Sequence, residues 1–200
     1  MKKLLAILLV LCMVIPAAAL GEEVVKIGVY EPATGDSGAG GKQEMLGMQY
    51  ANELFPTVKI GDTEYKVELV YADNGSSSDK APSAAQKLVS ENVSVVLGSY
   101  GSSVSNAGKP YFGEAGIPAI GVTCTNPQVT QGNDYYFRIA YIDPFQGAVM
   151  ASYALKNGCK NCVVIVEAGD DYSAGFGNYF SEAMVNGGAS CDTVTFQTGE

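Results

Sequence analysis

The residues of this chain best suited to holding a small anion are the serines of Gly98-Ser99-Tyr100-Gly101-Ser102-Ser103 and the threonines of Thr123-Cys124-Thr125. The first group follows a short β-branched run, 93–98, and precedes a segment with helical character reaching about residue 114. A helix that starts just after a strand points its free N–H groups and positive dipole end out of the sheet's carboxyl edge. A carboxylate or phosphate settles there, and Ser102 and Ser103 add hydroxyl donors. The next strand, over 118–122, carries Thr123 and Thr125 to the same edge, so two neighbouring strand ends converge on one ligand. The competing reading is that Ser102 and Ser103 only cap a helix and Thr125 only opens a turn.

Other chemistry is poorly supplied. Gly35-Asp36-Ser37-Gly38 matches a serine-protease nucleophile motif, but the chain has no histidine, so neither a Ser-His-Asp triad nor a Cys-His pair can be assembled. The same absence weakens zinc-hydrolase chemistry, and no glycine-rich nucleotide motif follows a strand. Asp170 and Asp171 are adjacent, so their side chains diverge, and a loop role is expected. No cofactor, metal site or catalytic residue is predicted. Cys159 and Cys162 form a CxxC placed before a strand, away from the helix start that would stabilise a thiolate. A structural bridge from Cys159 or Cys162 to Cys191 is expected, with a zinc site from the three cysteines as the alternative.

These residues need a scaffold, and the hydrophobic pattern supplies one. Strands are predicted over 24–30, 66–72, 135–140, 162–167 and 191–196, beside the two already named. Helices are predicted over 41–54, with Met45, Met48, Ala51 and Phe55 filling a core face, and over 80–91, with Ala81, Ala84, Ala85 and Leu88 inward. Asp143 and Pro144 open a helix running to about 156. The stretch 168–175 reads as a loop ahead of a helix over 175–186. Strands alternating with helices argue for α/β architecture, with parallel sheets covered by helices. The alternation restarts after Tyr141, which predicts two lobes, 20–141 and 142–200. The second series holds only two strands, so the sequence reads as the N-terminal part of a longer protein, the second lobe truncated.

The 200 residues are 47% hydrophobic and 16% charged, enough to build a core, and the net charge of −9 argues against a nucleic-acid surface. Met1-Lys2-Lys3, an apolar run over 4–15 and Ala17-Ala18-Ala19 form a secretory leader over 1–19, cleaved near Ala19. A lipid anchor at Cys12 is the alternative, disfavoured by bulky Leu11 and by its depth in the apolar run. The protein is thus expected to be exported, periplasmic or extracytoplasmic.

The order of KIGVYEPATG, GSYGSS, AGIPAIGVTCTNP, FRIAYIDPFQG and DDYSAGF resembles the extracytoplasmic solute-binding proteins of ABC importers, of the type that binds leucine, isoleucine and valine. The resemblance implies a two-lobed type I periplasmic-binding-protein fold that closes on an amino acid or related small polar solute and delivers it, as a monomer, to permease subunits. The ligand-binding domain of a membrane sensor is the other reading. By match to the family's pattern, Ser102 takes the α-carboxylate with neighbouring amides of Gly101 and Ser103. The Thr123 carbonyl and Thr125 hydroxyl take the ammonium, Tyr172 closes over the ligand, and Tyr100 lines the wall. The chain departs from the pattern at Gly40, where relatives often carry an aromatic residue. It also has Asn74 and Gly101 near the positions of an early cysteine pair.

Overall fold

The computed structural model describes residues 23–199; the leader, its cleavage site and Cys12 lie outside the described residues. The elements in chain order are β1 (Val24–Glu31), α1 (Gly38–Leu54), β2 (Thr57–Ile60), β3 (Thr63–Asp73), α2 (Ala81–Ser90), β4 (Val95–Leu97), α3 (Ser102–Ala115) and β5 (Ala119–Gly121). A 3-10 turn (Pro127–Val129), β6 (Tyr136–Arg138), α4 (Asp143–Lys156), β7 (Asn161–Glu167), α5 (Asp171–Asn186) and β8 (Ser190–Phe196) follow. The first sheet runs β2-β3-β1-β4-β5-β6, and β7 pairs with β8 in a second sheet. Every pairing is parallel except β2 with β3.

The β2–β3 hairpin is absent from the sequence reading, which starts the second strand at Lys66. Its first strand is four residues long and exposed throughout, so it carries no inward face for hydrophobic alternation to reveal. The turn signal was present: Gly61 has φ +62, a left-handed conformation that glycine adopts freely.

From β1 the chain crosses to β3 on one side, then passes back over β1 to β4 on the other. Strand order therefore reverses between β1 and β4, and their carboxyl ends splay apart into a crevice. The core beneath is tied by Tyr30, which is fully buried on β1. Its hydroxyl donates toward Val104 O at 2.9 Å and Ala81 O at 3.2 Å, and its ring meets Phe112 edge-on at 5.3 Å. One phenol thus ties α2 and α3 to the central strand.

The predicted inward face of α2 is buried as expected. That of α1 is buried only at Met48, while Phe55 lies beyond the helix end and is 71% exposed. Met48, Ala51 and Phe55 instead line an open apolar cavity of about 400 Å³ with Ile27, Val67 and Leu69, because no other described element covers that face of the sheet.

In the second sheet, Cys162 and Cys191 are direct partners on β7 and β8, with their sulfurs 2.8 Å apart as thiols. Cys159 stands off from both, its thiol toward Asn161 O. Among the described residues no group of three ligands could hold a metal.

Two outcomes are expected. In protein recovered from an oxidising compartment, Cys162 should pair with Cys191, leaving Cys124 and Cys159 for alkylation as read by mass spectrometry. Gly108→Ala would set a methyl 2.3 Å from the Tyr30 hydroxyl, so urea unfolding should show a loss of about 1 to 3 kcal/mol.

Candidate functional site

The crevice is shaped first by Gly98, where β4 ends. Its φ is +117, and a Cβ there would lie 2.2 Å from Tyr30 O, so only glycine lets the chain turn this tightly against β1. The next three residues are each secured. Ser99 is buried and accepts from Asn74 Nδ2 at 2.9 Å, which joins the loops after β3 and β4. Tyr100 N donates to Glu31 Oε2 at 2.8 Å. Gly101 is extended and forms the N-cap of α3 without a side-chain cap.

Ser102 and Ser103 therefore sit inside the first turn of α3, and neither is the capping residue. The amides of Ser102, Ser103 and Val104 have no acceptor within the helix. Ser102 is 2% exposed, and its Oγ accepts the Asn126 amide at 3.2 Å. That leaves the Ser102 O–H as a donor beside the free amides.

The segment after β5 forms the opposite wall. Thr123 Oγ1 donates to Glu44 Oε1 at 2.6 Å, with Tyr100 O at 3.2 Å as a second acceptor. Thr125 is 7% exposed, and its buried Oγ1 faces the carboxyl of Asp143. The wall is held by Arg138 of β6, whose guanidinium donates to Asn126 O at 2.8 Å, Thr130 Oγ1 at 2.9 Å, Pro127 O at 3.2 Å and Cys124 O at 3.3 Å.

A cavity of about 310 Å³ lies between these walls and the start of α5. Tyr100, Gly101, Ser102, Thr123, Thr125 and Tyr172 line it, all singled out in the sequence. Ser103 does not. Its hydroxyl donates to Asp170 Oδ1 at 3.0 Å and accepts the Asp171 amide at 2.8 Å. Asn106 Nδ2 reaches Asp171 Oδ2 at 2.7 Å, and Asn126 Nδ2 reaches Asp171 O at 2.8 Å. The two helix starts are thereby locked together across the cavity.

This corrects the sequence reading of 168–175 as a loop. Asp170 is the N-cap of α5, its carboxylate accepting Ser173 N at 2.7 Å, and Tyr172 stands in the first helical turn, stacked on Phe176. An aspartate three residues ahead of a serine was the available signal. Ser37, Tyr141, Gln146 and Asp170 also line the cavity and were missed. Gly40 is explained as well: a Cβ there would lie 2.5 Å from the Tyr100 ring, so Tyr100 fills the wall that a side chain at 40 would occupy.

Two buried acids border the site. Glu31 is 1% exposed, and burial, then the facing Glu44, push its carboxyl up to about 10 against the opposing Tyr100 amide. Asp143, fully buried at the start of α4, is raised by burial, opposed by the Thr125 hydroxyl and Arg138. The cavity offers fixed donors for a negative group at the head of α3 and the Thr125 hydroxyl opposite.

Residues 24–199 match the family described as periplasmic binding protein. The chain is 31% identical over 176 residues to Leu/Ile/Val-binding protein homolog 3 of Brucella melitensis biotype 1, covering 86% of this chain and 47% of that protein. A leucine binding protein of Thermotoga maritima MSB8 superposes with a TM-score of 0.84 at 39% identity, over 88% of this chain and 50% of that one. A branched-chain amino acid transporter substrate binding protein of Streptococcus pneumoniae, solved with isoleucine, gives a TM-score of 0.77 at 29% identity, over 89% and 51%. The chain spans about half the length of these relatives.

Because one planar guanidinium serves four acceptors, Arg138→Lys should cost about 1 to 3 kcal/mol of stability. Amide exchange should quicken over 123–130, measured by hydrogen–deuterium exchange.

Proposed function

The chain belongs to the periplasmic binding protein family, and from that premise we propose that it captures an amino acid, of the branched-chain type or a related small polar solute, for an ABC importer. The observation carrying this reading is the uncapped start of α3, with Ser102 and Thr125 turned on one cavity. The names of the relatives support it, all being binding proteins.

In this reading the α-carboxylate sits on the amides of Ser102, Ser103 and Val104 and accepts the Ser102 O–H, a charge-assisted set worth more than neutral hydrogen bonds. Gly101 keeps that approach free of a side chain. The ammonium lies opposite, at the Thr123 carbonyl and the Thr125 hydroxyl. The solute's side chain faces the rings of Tyr100, Tyr141 and Tyr172. The Ser103 hydroxyl joins α3 to α5, so only its amide faces the solute.

Residues 20–141 and 142–200 then belong to two lobes, and the Ser103, Asn106 and Asn126 bonds to Asp170 and Asp171 are the contacts that hold them closed. Closure is a population shift driven by a solute that touches both sides. The loaded protein, exported and monomeric, delivers its cargo to permease subunits at the membrane. Among the described residues no helix is long and apolar enough to cross a membrane.

A thermal-shift screen of the intact protein against free amino acids should raise its apparent melting point with the true solute. Ser102→Ala should then weaken calorimetric affinity by about 1.5 to 3 kcal/mol with little effect on folding. An unchanged affinity would overturn the assignment of Ser102.

A further inference from the structure

Glu31 closes β1 at the crevice and is 1% exposed, yet among the described residues no cation forms an ion pair with it. A buried carboxylate without a counter-charge is held only by hydrogen bonds or by a proton. One bond is present, from Tyr100 N to Oε2 at 2.8 Å. The other oxygen, Oε1, is buried and receives no donor.

The group facing it is Glu44 of α1, which raises the Glu31 carboxyl. Glu44 Oε1 accepts the Thr123 hydroxyl at 2.6 Å, and its Oε2 is likewise buried and without a donor. Two acids that meet through their two spare oxygens are the arrangement in which one proton serves both.

The other titratable neighbours do not change this. Tyr30 on β1 and Tyr136 on β6 spend their protons on backbone carbonyls, and the Cys124 thiol after β5 is pushed upward by burial. Asp73, beside Glu31 on β3, accepts from the amides of Ala33, Thr34 and Gly75.

We propose that Glu31 keeps its proton at neutral pH and donates it to Glu44, and that the two are positioning residues for the solute site, fixing Tyr100 through its amide and Thr123 through its hydroxyl. The proposal rests on the reading above for the claim that Tyr100 and Thr123 face the solute, while the retention of the proton does not. The proton bridges Oε1 of Glu31 and Oε2 of Glu44, and the pair keeps one negative charge, which the Tyr100 N–H and Thr123 O–H neutralise in part. When base removes the proton, two like charges face each other in a site without a cation. Glu44, only half-buried, turns to water and takes the acceptor away from Thr123. Solute affinity and proton retention are therefore linked.

The sign follows from the direction of the shift. Glu31 is raised from 4.5 toward about 10, so the native chain holds a proton that the unfolded chain releases. The stabilisation is complete in acid and drains away as the pH climbs across that window.

The test is carboxyl-carbon NMR of the intact protein without solute, followed across pH. Glu31 should stay protonated well above neutrality; release of its proton in the ordinary acid range would overturn the retention. Glu44→Gln supplies a neutral amide that can donate to Glu31 and accept from Thr123. The Tyr100 and Thr123 backbone resonances should then stay in place, and the fall of the thermal midpoint between pH 7 and 10 should flatten. Glu44→Ala should displace both resonances; if neither moves, the positioning role is overturned. L-leucine titrations complete the set: affinity should fall with rising pH more steeply in the wild type than in Glu44→Gln, where only the loss of the leucine ammonium proton remains, and equal slopes in the two would overturn the linkage. If no amino acid binds the wild type, the capture reading fails, and the carboxyl titration still decides the proton.

Discussion

The structure depends on leaving the start of α3 open. A helix N-terminus buried without a cap carries N–H groups that need acceptors, and here the cap is Gly101, which has no side chain to offer. The surroundings hold that open end in place without satisfying it. Gly98 lets the chain pass close under Tyr30, Asn74 holds Ser99, Glu31 holds the Tyr100 amide, and Asn126 takes one lone pair of Ser102. The donors are thereby fixed before a ligand arrives, and the cost of orienting them is met in folding and not in binding.

The reversal of strand order explains why these helpers come from distant parts of the chain. β1 contributes Glu31, the loop after β3 contributes Asn74, and the segment after β5 contributes Thr123 to Asn126. They meet because β1 and β4 are neighbours whose connections leave in opposite directions. The second sheet's side is tied to the first at the starts of α4 and α5, by the Asp143 amide to Thr125 O and by bonds from Ser103, Asn106 and Asn126 to Asp170 and Asp171. Polar contacts of this kind are exchangeable with water, which suits surfaces that part and rejoin.

Much of this can be read from residue order. The strand, glycine turn, serine pair and helix over 93–114 are local features, so spacing alone places Ser102 at the crevice, and the alanine stripe of α2 marks a buried face. What escapes is whatever depends on contacts between distant segments. Glu31 looks like any acid at a strand end until Glu44 and Tyr100 are brought against it. Tyr172 reads as a loop residue because Asp170-Asp171 and Gly175 mask the helix start that the Asp170 cap creates. Ser103 is indistinguishable from Ser102 in sequence, and only the helical rotation between neighbours sends one hydroxyl to the cavity and the other to α5.

A seat built chiefly from main-chain N–H groups has a consequence for how such a protein diverges. In the proposed capture role, side-chain replacement cannot delete a peptide donor, so drift at Tyr100, Tyr141 or Tyr172 would exchange the cargo while the polarity of docking stayed constant. In that role the carboxylate end would be inherited with the backbone, and the rest of the molecule's preference would be free to wander.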